Sequence, residues 1–515
     1  MKQQTRFLIV GFDGLRPDCV KEDMPALHRF IEHSHRWSQY CANFPTETYV
    51  NHPTIFSGFR PCDHGIIANC FYDKTMPAHQ SVFTGWSVQS ISEHEGKNGG
   101  HGVIEIPSLG DRLGQQKKTL RVLCANSSGS TRLQHIHADR YEGHLNCCVH
   151  DIDSALPLKE RECLQSRWGS GIPLAFPDFK GNELLCDIFF NYEIPRGLGD
   201  VTVLWFGEPD HSSHEFGIWH EKTRQARQNA DQAFEKILRW WEDEGKAAGV
   251  QLVTMSDHGH SEIAEHFDVT SVLKNAGFSV LTGTDIRNGA NPQDADIVAV
   301  GSYAIGLWIK PEMQDKFGQI RNVLMQTPEV GMIFSQPTTQ CPPSTEGSVA
   351  GTLSEHLLSS EHRRGPDLRV VLHNDPQSGY SIDGGDIDIG CGNHGGLMPC
   401  EIRAVLAING NLFSATPKVH QVPAAHDDFA MTVMTLLGLL DQKHSDENPL
   451  KARVLKEALC DQETNSSYAL ERLSLQYGKY SQYLIRAHYC GCTYVLEGAR
   501  EDTHKKLLKK DVIHV

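Results

Sequence analysis

Four places in this sequence set metal-ligating side chains beside an apolar run. Phe7-Leu-Ile-Val-Gly-Phe leads into Asp13, and Val201-Thr-Val-Leu-Trp-Phe leads into Asp210, with His214 four residues on. Val250-Gln-Leu-Val-Thr-Met leads into Asp257-His258, and Gly392-Asn-His394-Gly-Gly precedes the apolar run Ile402–Ile408. Carboxylates and imidazoles without a thiolate suit zinc, and manganese less well. Six such ligands are too many for one tetrahedral ion and enough for two. Two ions roughly 4 Å apart clamp the attacking and leaving oxygens of a displacement at phosphorus.

That chemistry needs a nucleophile. The segment from Asn43 to Gly58 follows a loop and reads as a helix start, and it carries Thr46, Thr48 and Thr54. A bound metal can deprotonate a hydroxyl there, and the first backbone N–H groups of a helix can hold a phosphoryl oxygen. Thr48 fits the role, and composition leaves Thr46 and Thr54 as rivals.

These side chains must be positioned by strands. In open α/β sheets the working residues gather past the carboxyl ends of the strands. The apolar runs show no polar alternation, which suits a parallel sheet covered on both faces. Between the second and third runs, Ala226, Ala230, Phe234, Ile237, Leu238 and Trp241 recur at helical steps. Strand, long helix and strand make a βαβ crossover. The fold class is therefore α/β, with a mostly parallel sheet in residues 1–262 and 391–445. Residues 263–390 read as an inserted α+β cap, with strands at Tyr303–Ile309, Gly331–Phe334 and Leu368–Leu372 and a helix at Met313–Met325. A helix near Asp428–Leu439 returns to the main sheet. Residues 446–515 form an extension of no assigned role, and its terminal lysines, Lys505 to Lys510, read as a solvated helix face.

The 515 residues imply two or three domains, and 39% hydrophobic with 22% charged residues is a globular composition. A net charge of −16 without a basic cluster excludes a nucleic-acid polymer as partner and leaves a single nucleotide open as substrate. The opening lacks a secretory leader, the 15 cysteines are odd in number and scattered, and no window spans a bilayer; the longest apolar one is Met431–Leu440. The expectation is a cytoplasmic protein with reduced thiols and no membrane anchor. The glycine spacing at Gly11-Phe-Asp13-Gly14 does not fit a dinucleotide loop.

Taken in order, these motifs resemble the nucleotide pyrophosphatase/phosphodiesterase family of the alkaline phosphatase superfamily. The matching pieces are Asp13-Gly-Leu-Arg-Pro-Asp, Pro-Thr-Glu-Thr48-Tyr-Val-Asn-His, His64-Gly-Ile-Ile-Ala-Asn69, Glu-Pro-Asp210-x-x-x-His214, Ser-Asp257-His258-Gly and Gly-Asn-His394-Gly. The resemblance implies an alkaline-phosphatase-like three-layer α/β/α core acting on a small phosphodiester. It implies one zinc on Asp210, His214 and His394, and another on Asp13, Asp257, His258 and the Thr48 oxygen. Thr48 would form a phosphothreonine, and Asn69 would donate to a non-bridging oxygen. Two Zn²⁺, three carboxylates and the Thr48 alkoxide sum to zero charge, which suits a diester better than a monoester.

The sequence departs from the pattern at Ser213, where Gly is usual, and at Gly396, where an aromatic is common. Tyr49 is one candidate to contact the substrate, but Cys124-Ala-Asn-Ser-Ser-Gly-Ser supplies no second aromatic to sandwich a base. His52, His211, His260 and His266 read as supporting or surface histidines, and Asp63-His64-Gly65 as structural. A phosphonoacetate-type carbon–phosphorus hydrolase is the alternative, with Lys74, Arg363 and Arg364 as candidates to grip a carboxylate. A silent metal-binding scaffold is the alternative outside catalysis.

Overall fold

In chain order, the central sheet contains β1 (Arg6–Phe12), β2 (His35–Cys41), β3 (Leu120–Ala125), β4 (Leu145–Cys148), β5 (Asp151–Leu156), β6 (Val201–Phe206), β7 (Val250–Met255), β8 (Leu406–Asn409) and β9 (Val419–Ala425). The structure is a computed structural model and describes residues 5–96, 102–338, 344–440, 451–459, 467–502 and 507. Across the sheet the order is β9-β2-β8-β7-β1-β6-β3-β4-β5. β1 pairs in parallel with β6 and with β7, setting Phe12 beside Phe206 and Gly11 beside Met255. That register delivers Asp13, Asp210 and Asp257 to one edge.

β1 is covered on both faces, as its unbroken apolar run requires. Leu8, Val10 and Phe12 pack with Phe30, Phe234 and Ile237, while Phe7 and Ile9 pack with Ile55, Phe56 and Phe429. Each such side chain contributes about 1.5–3 kcal/mol when fully buried. Three helices bear on the site: α1 (Thr48–Ile55), α2 (Asp210–Phe216) and α3 (Glu221–Trp240). The expected amphipathic helix is α3, with Ala226, Ala230, Phe234, Ile237 and Leu238 buried.

One expected strand differs. The run Ile402–Ile408 is split: Pro399–Ile402 is a short helix and β8 begins at Leu406. β8 also runs antiparallel to both β7 and β2. Pro399 favours a first helical turn, and a short apolar run carries no record of its direction.

Within 263–390 lies a six-stranded sheet in the order Val280–Thr282, Ile297–Val300, Ala304–Ile309, Leu368–Leu372, Val330–Ser335 and Leu353–Ser354. The helix expected from Met313 starts as a 3-10 turn at Pro311–Lys316 and becomes α-helical at Phe317–Gln326. Ile305, Ile333 and Val370 of this sheet join the same apolar cluster as Phe7 and Ile9. The unassigned extension contains an antiparallel sheet of Ala469–Tyr477, Tyr480–Tyr489 and Cys492–Arg500. Arg500 ties it to the six-stranded sheet, donating through Nη1 to the carbonyls of Thr327 and Val330, both at 2.7 Å. Lys505, Lys506, Lys509 and Lys510 lie outside the described residues. Among the described residues no helix is long and apolar enough to cross a membrane, and the cysteines are free thiols.

Candidate metal centre and cleft

All six predicted ligands converge at the carboxyl edge of the sheet. In one group, Asp13, Asp257 and His258 are fully buried and bring ligand atoms within 4.8 Å of one another. His258 Nδ1 lies 3.0 Å from the Gly259 carbonyl, an acceptor, so its proton sits there and Nε2 turns inward. Nε2 is 3.7 Å from Asp13 Oδ1 and 3.5 Å from Asp257 Oδ2. Asp13 is held by its other oxygen, which accepts from Trp205 Nε1 at 2.9 Å and Asn126 Nδ2 at 2.6 Å. Asp257 Oδ1 accepts from the Gly14 N–H at 3.0 Å.

The second group is built around Asp210 Oδ1. His214 Nε2 lies 3.3 Å from it, His394 Nε2 3.6 Å, and His260 Nε2 3.0 Å. Each ring has its far nitrogen on a backbone carbonyl: His214 on Gly392 at 2.8 Å, His394 on Thr46 at 2.8 Å, His260 on Gly14 at 3.0 Å. The Nε2 atoms of His214 and His394 are only 3.1 Å apart. His260, expected as a supporting or surface histidine, is thus inside the cluster.

The donor set fits metal ions. Asp210 Oδ1 and Asp257 Oδ2 are buried with no hydrogen-bond partner, an expensive state unless a cation faces them. Burial, and then the nearby Asp257 and Asp210, push the Asp13 pKa well above the usual carboxylate range, and burial also raises that of Asp257. Burial acts the same way on Asp210, but the neighbouring His214 outweighs it and holds its pKa low. Burial, followed by His258, keeps His394 neutral by depressing its pKa. Three crowded carboxylates beside imidazoles are a cation site by charge as well as by geometry.

The three threonines separate cleanly. Thr46 Oγ1 donates to the Gly396 carbonyl and accepts from the Gly395 N–H, both at 3.0 Å. Thr54 Oγ1 is 3.2 Å from the Val50 carbonyl and 3.1 Å from His64 Nε2. That contact makes the structural use of His64 explicit. Thr48 Oγ1 instead faces the first group, 3.0 Å from His258 Nε2 and 3.3 Å from Asp13 Oδ1.

The helix start is arranged differently from expectation. The Tyr49 N–H donates to Asn69 Oδ1 at 2.9 Å, and those of Val50 and Asn51 go to the Glu47 carbonyl. These donors are spent, which leaves the side-chain amide of Asn69 facing the cleft it lines. The Glu47 carboxyl accepts from the Asn69 N–H, and burial pushes its pKa up to about 7.

A cleft of about 420 Å³ opens over Thr48, Asn69, Asp210, His214 and His394. Tyr49 lines it but is mostly buried, its ring seated where a Cβ on Gly85 would come within 2.3 Å. The aromatics missing from 124–130 come from elsewhere, as Trp86 and Phe176 line the cleft and are 50% and 41% exposed. Glu215, Asp386 and Asp388 complete it, and no Lys or Arg is among its described lining residues. The cations considered for a carboxylate grip are committed elsewhere. Arg364 is buried on Glu105 and the Gly65 and Val103 carbonyls, Arg363 pairs with Glu105, and Lys74 lies 3.6 Å from Asp367.

His52, His211, Asn126 and His426 support the centre. His52 Nε2 is 3.5 Å from Asp257 Oδ2, and His211 Nε2 is 3.2 Å from Asn126 Oδ1. His426 spans Tyr40 and the Asp257 carbonyl, and His266 is exposed. Asn126 follows β3, so the strand-end rule that marked Asp13 also points to it.

A mostly parallel sheet bearing carboxylates and imidazoles around a buried hydroxyl defines an alkaline-phosphatase-like enzyme. More particularly, the chain belongs to the type I phosphodiesterase / nucleotide pyrophosphatase family, whose pattern it matches over residues 7–326. It is 22% identical over 287 residues to the bis(5'-adenosyl)-triphosphatase enpp4 of Mus musculus, covering 55% of this chain and 53% of the relative. It is 21% identical to the venom phosphodiesterase CdcPDE of Crotalus durissus collilineatus, covering 51% of this chain and 27% of that protein. The chain thus spans about half or less of the length of these relatives. Among solved structures, an inactive murine ectonucleotide pyrophosphatase / phosphodiesterase 5 in complex with AMP superposes with a TM-score of 0.55 at 15% identity, covering 85% of this chain and 96% of that one. A phosphonoacetate hydrolase from Sinorhizobium meliloti 1021 gives 0.56 at 14%, covering 84% and 96%.

Proposed function

We propose that the protein is a phosphodiesterase that hydrolyses phosphodiester or pyrophosphate bonds through a phosphothreonine on Thr48, at a centre for two zinc ions. Asp13, Asp257, His258 and the Thr48 oxygen would hold one ion, and Asp210, His214 and His394 the other. The observation that carries this reading is the position of Thr48. Of the three candidate hydroxyls, it alone faces the ligand cluster, while Thr46 serves backbone groups and Thr54 serves the Val50 carbonyl and His64.

When bound, the ions supply Lewis acidity at the attacking and leaving oxygens. Thr48 Oγ1 releases its proton to water and forms the new bond to phosphorus as the bond to the leaving alcohol breaks, and the alcohol departs with a proton from water. Asn69, fixed by the Tyr49 N–H, donates from Nδ2 to a non-bridging oxygen. A second water then cleaves the phosphothreonine and restores the hydroxyl. The carboxylates of the cleft, with no Lys or Arg among its described lining residues, disfavour a doubly charged monoester and a carboxylate-bearing phosphonate.

The test is turnover of bis(p-nitrophenyl) phosphate, p-nitrophenyl phosphate and phosphonoacetate by zinc-loaded protein and by Thr48→Ala. Diester preference, lost by at least about a thousandfold in Thr48→Ala, is the expected result. Turnover surviving in Thr48→Ala removes the covalent route, and two bound ions with no turnover of any diester leave a scaffold.

A further inference from the structure

We infer that His260 is a direct ligand of the metal ion held by Asp210, His214 and His394, an inference that rests on the metal-dependent reading above. The Gly14 carbonyl, 3.0 Å from His260 Nδ1, can only accept, so that nitrogen carries the proton. A neutral ring then presents a lone pair at Nε2. That lone pair stands 3.0 Å from Asp210 Oδ1, itself an electron pair, and neither atom has a hydrogen-bond partner. His260 is 1% exposed and Asp210 6%, and a separation of 3.0 Å leaves no room for a water between the two atoms. Two buried electron pairs at this distance need a positive centre between them.

A second ring proton does not meet the need. The two atoms approach off the line that a hydrogen bond requires. The rings of His214, His394 and His258 also stand 5.2, 5.2 and 5.5 Å from that of His260, so a charged ring would sit among three other imidazoles. His260 instead repeats the arrangement of His214 and His394, with Nδ1 on a carbonyl and Nε2 toward Asp210.

The chain reserves space for this ring. Gly14 has φ +63°, and a Cβ there would come within 2.3 Å of His260 Cε1. Gly14 therefore turns the chain after Asp13 and seats the ring with its proton on Gly14's own carbonyl. Asp210, His214, His394 and His260 would give this ion four protein ligands, one more than a catalytic zinc usually carries, and zinc can accept a further ligand during reaction.

The test counts coordinated imidazoles in the cobalt-substituted protein by proton NMR in water. Each ligating ring with its Nδ1 proton held on a carbonyl gives one strongly shifted, exchangeable signal. The expected result is one signal for each of His214, His258, His260 and His394, with one lost in His260→Met and cobalt affinity lowered roughly 10–100-fold. Three signals in the unaltered protein, or a spectrum unchanged by His260→Met, overturn the assignment. If His260→Met does not fold, the count in the unaltered protein decides alone. Absence of shifted signals at saturating cobalt overturns the metal-dependent reading along with it, which separates the two failures.

Discussion

Opposite ends of β3 carry two buried polar clusters with different fates. Near its start, Arg121 donates to Glu193 at 2.6 and 2.7 Å, to Glu160 at 3.0 Å and to the Gly143 carbonyl at 2.8 Å. Tyr192 and Arg196 complete Glu160, at 2.9 and 2.6 Å. Two cations meet two carboxylates, and none of these atoms lacks a partner. Beyond the other end, Asn126 holds Asp13 in a cluster of three carboxylates and imidazoles that leaves Asp210 Oδ1 and Asp257 Oδ2 unpaired. The first cluster is closed within the chain and serves the fold. The second is closed only by something the chain does not contain, and that incompleteness marks function more sharply than burial or charge alone.

The closed cluster should be the more damaging one to open. Arg121→Met strands the buried Glu193 carboxylate and should cost about 3–5 kcal/mol in denaturant unfolding. Diester turnover per folded molecule should stay near that of the unaltered protein, and a large loss in the folded fraction would tie this end of β3 to the centre. Metal removal acts on the other cluster. Chelation should abolish turnover while leaving the far-ultraviolet dichroism of the fold. Restoring metal to 100 times its dissociation constant should return about 2.7 kcal/mol of stability, read as a concentration-dependent melting temperature.

A finer contrast lies within the site. Glu47 touches no ligand but fixes the Asn69 backbone beside Thr48. Glu47→Ala should lower kcat roughly 10–100-fold with little change in KM, because a donor displaced from the transition state loses catalysis before binding. Glu47→Gln keeps an acceptor and should recover most of the rate. In an Asn69→Ala background the Glu47→Ala effect should largely vanish, and full additivity there would deny the coupling.

The open cluster was legible in the sequence because strand ends are legible. Apolar runs without alternation announced β1, β6 and β7, and the acidic and imidazole residues following them were their own evidence. His260 was passed over because its partners are a carbonyl of Gly14 and a carboxylate 50 residues away, which leave no local signal. Trp86 and Phe176 carry no such mark, because the short connection after Thr84 and the segment before Phe179, both far in sequence from Cys124–Ser130, bring them to the cleft. The direction of β8 was invisible, since Leu406–Asn409 reads alike both ways. The C-terminal sheet was hidden because its alternating faces mix Tyr, Arg and Leu, whose long side chains are neither plainly inside nor outside.

The smallest effect has the least usual sign. Asp257 Oδ2 is buried without a partner, 3.5 Å from the Nε2 lone pair of His258. In metal-free protein this oxygen opposes both that lone pair and the Asp13 carboxylate. Asp257→Asn keeps Oδ1 for the Gly14 N–H and turns an amide donor toward His258. The substitution should therefore raise metal-free stability by about 1 kcal/mol, within the range seen when a functional site's frustration is relieved, while weakening metal binding and abolishing turnover. Thermal melts of both proteins after chelation and again at saturating zinc provide the comparison. The variant should melt higher without metal, and that order should reverse with it. If Asp257→Asn is destabilising in both states, the carboxylate is satisfied within the chain, and the distinction between the two ends of β3 fails at this residue.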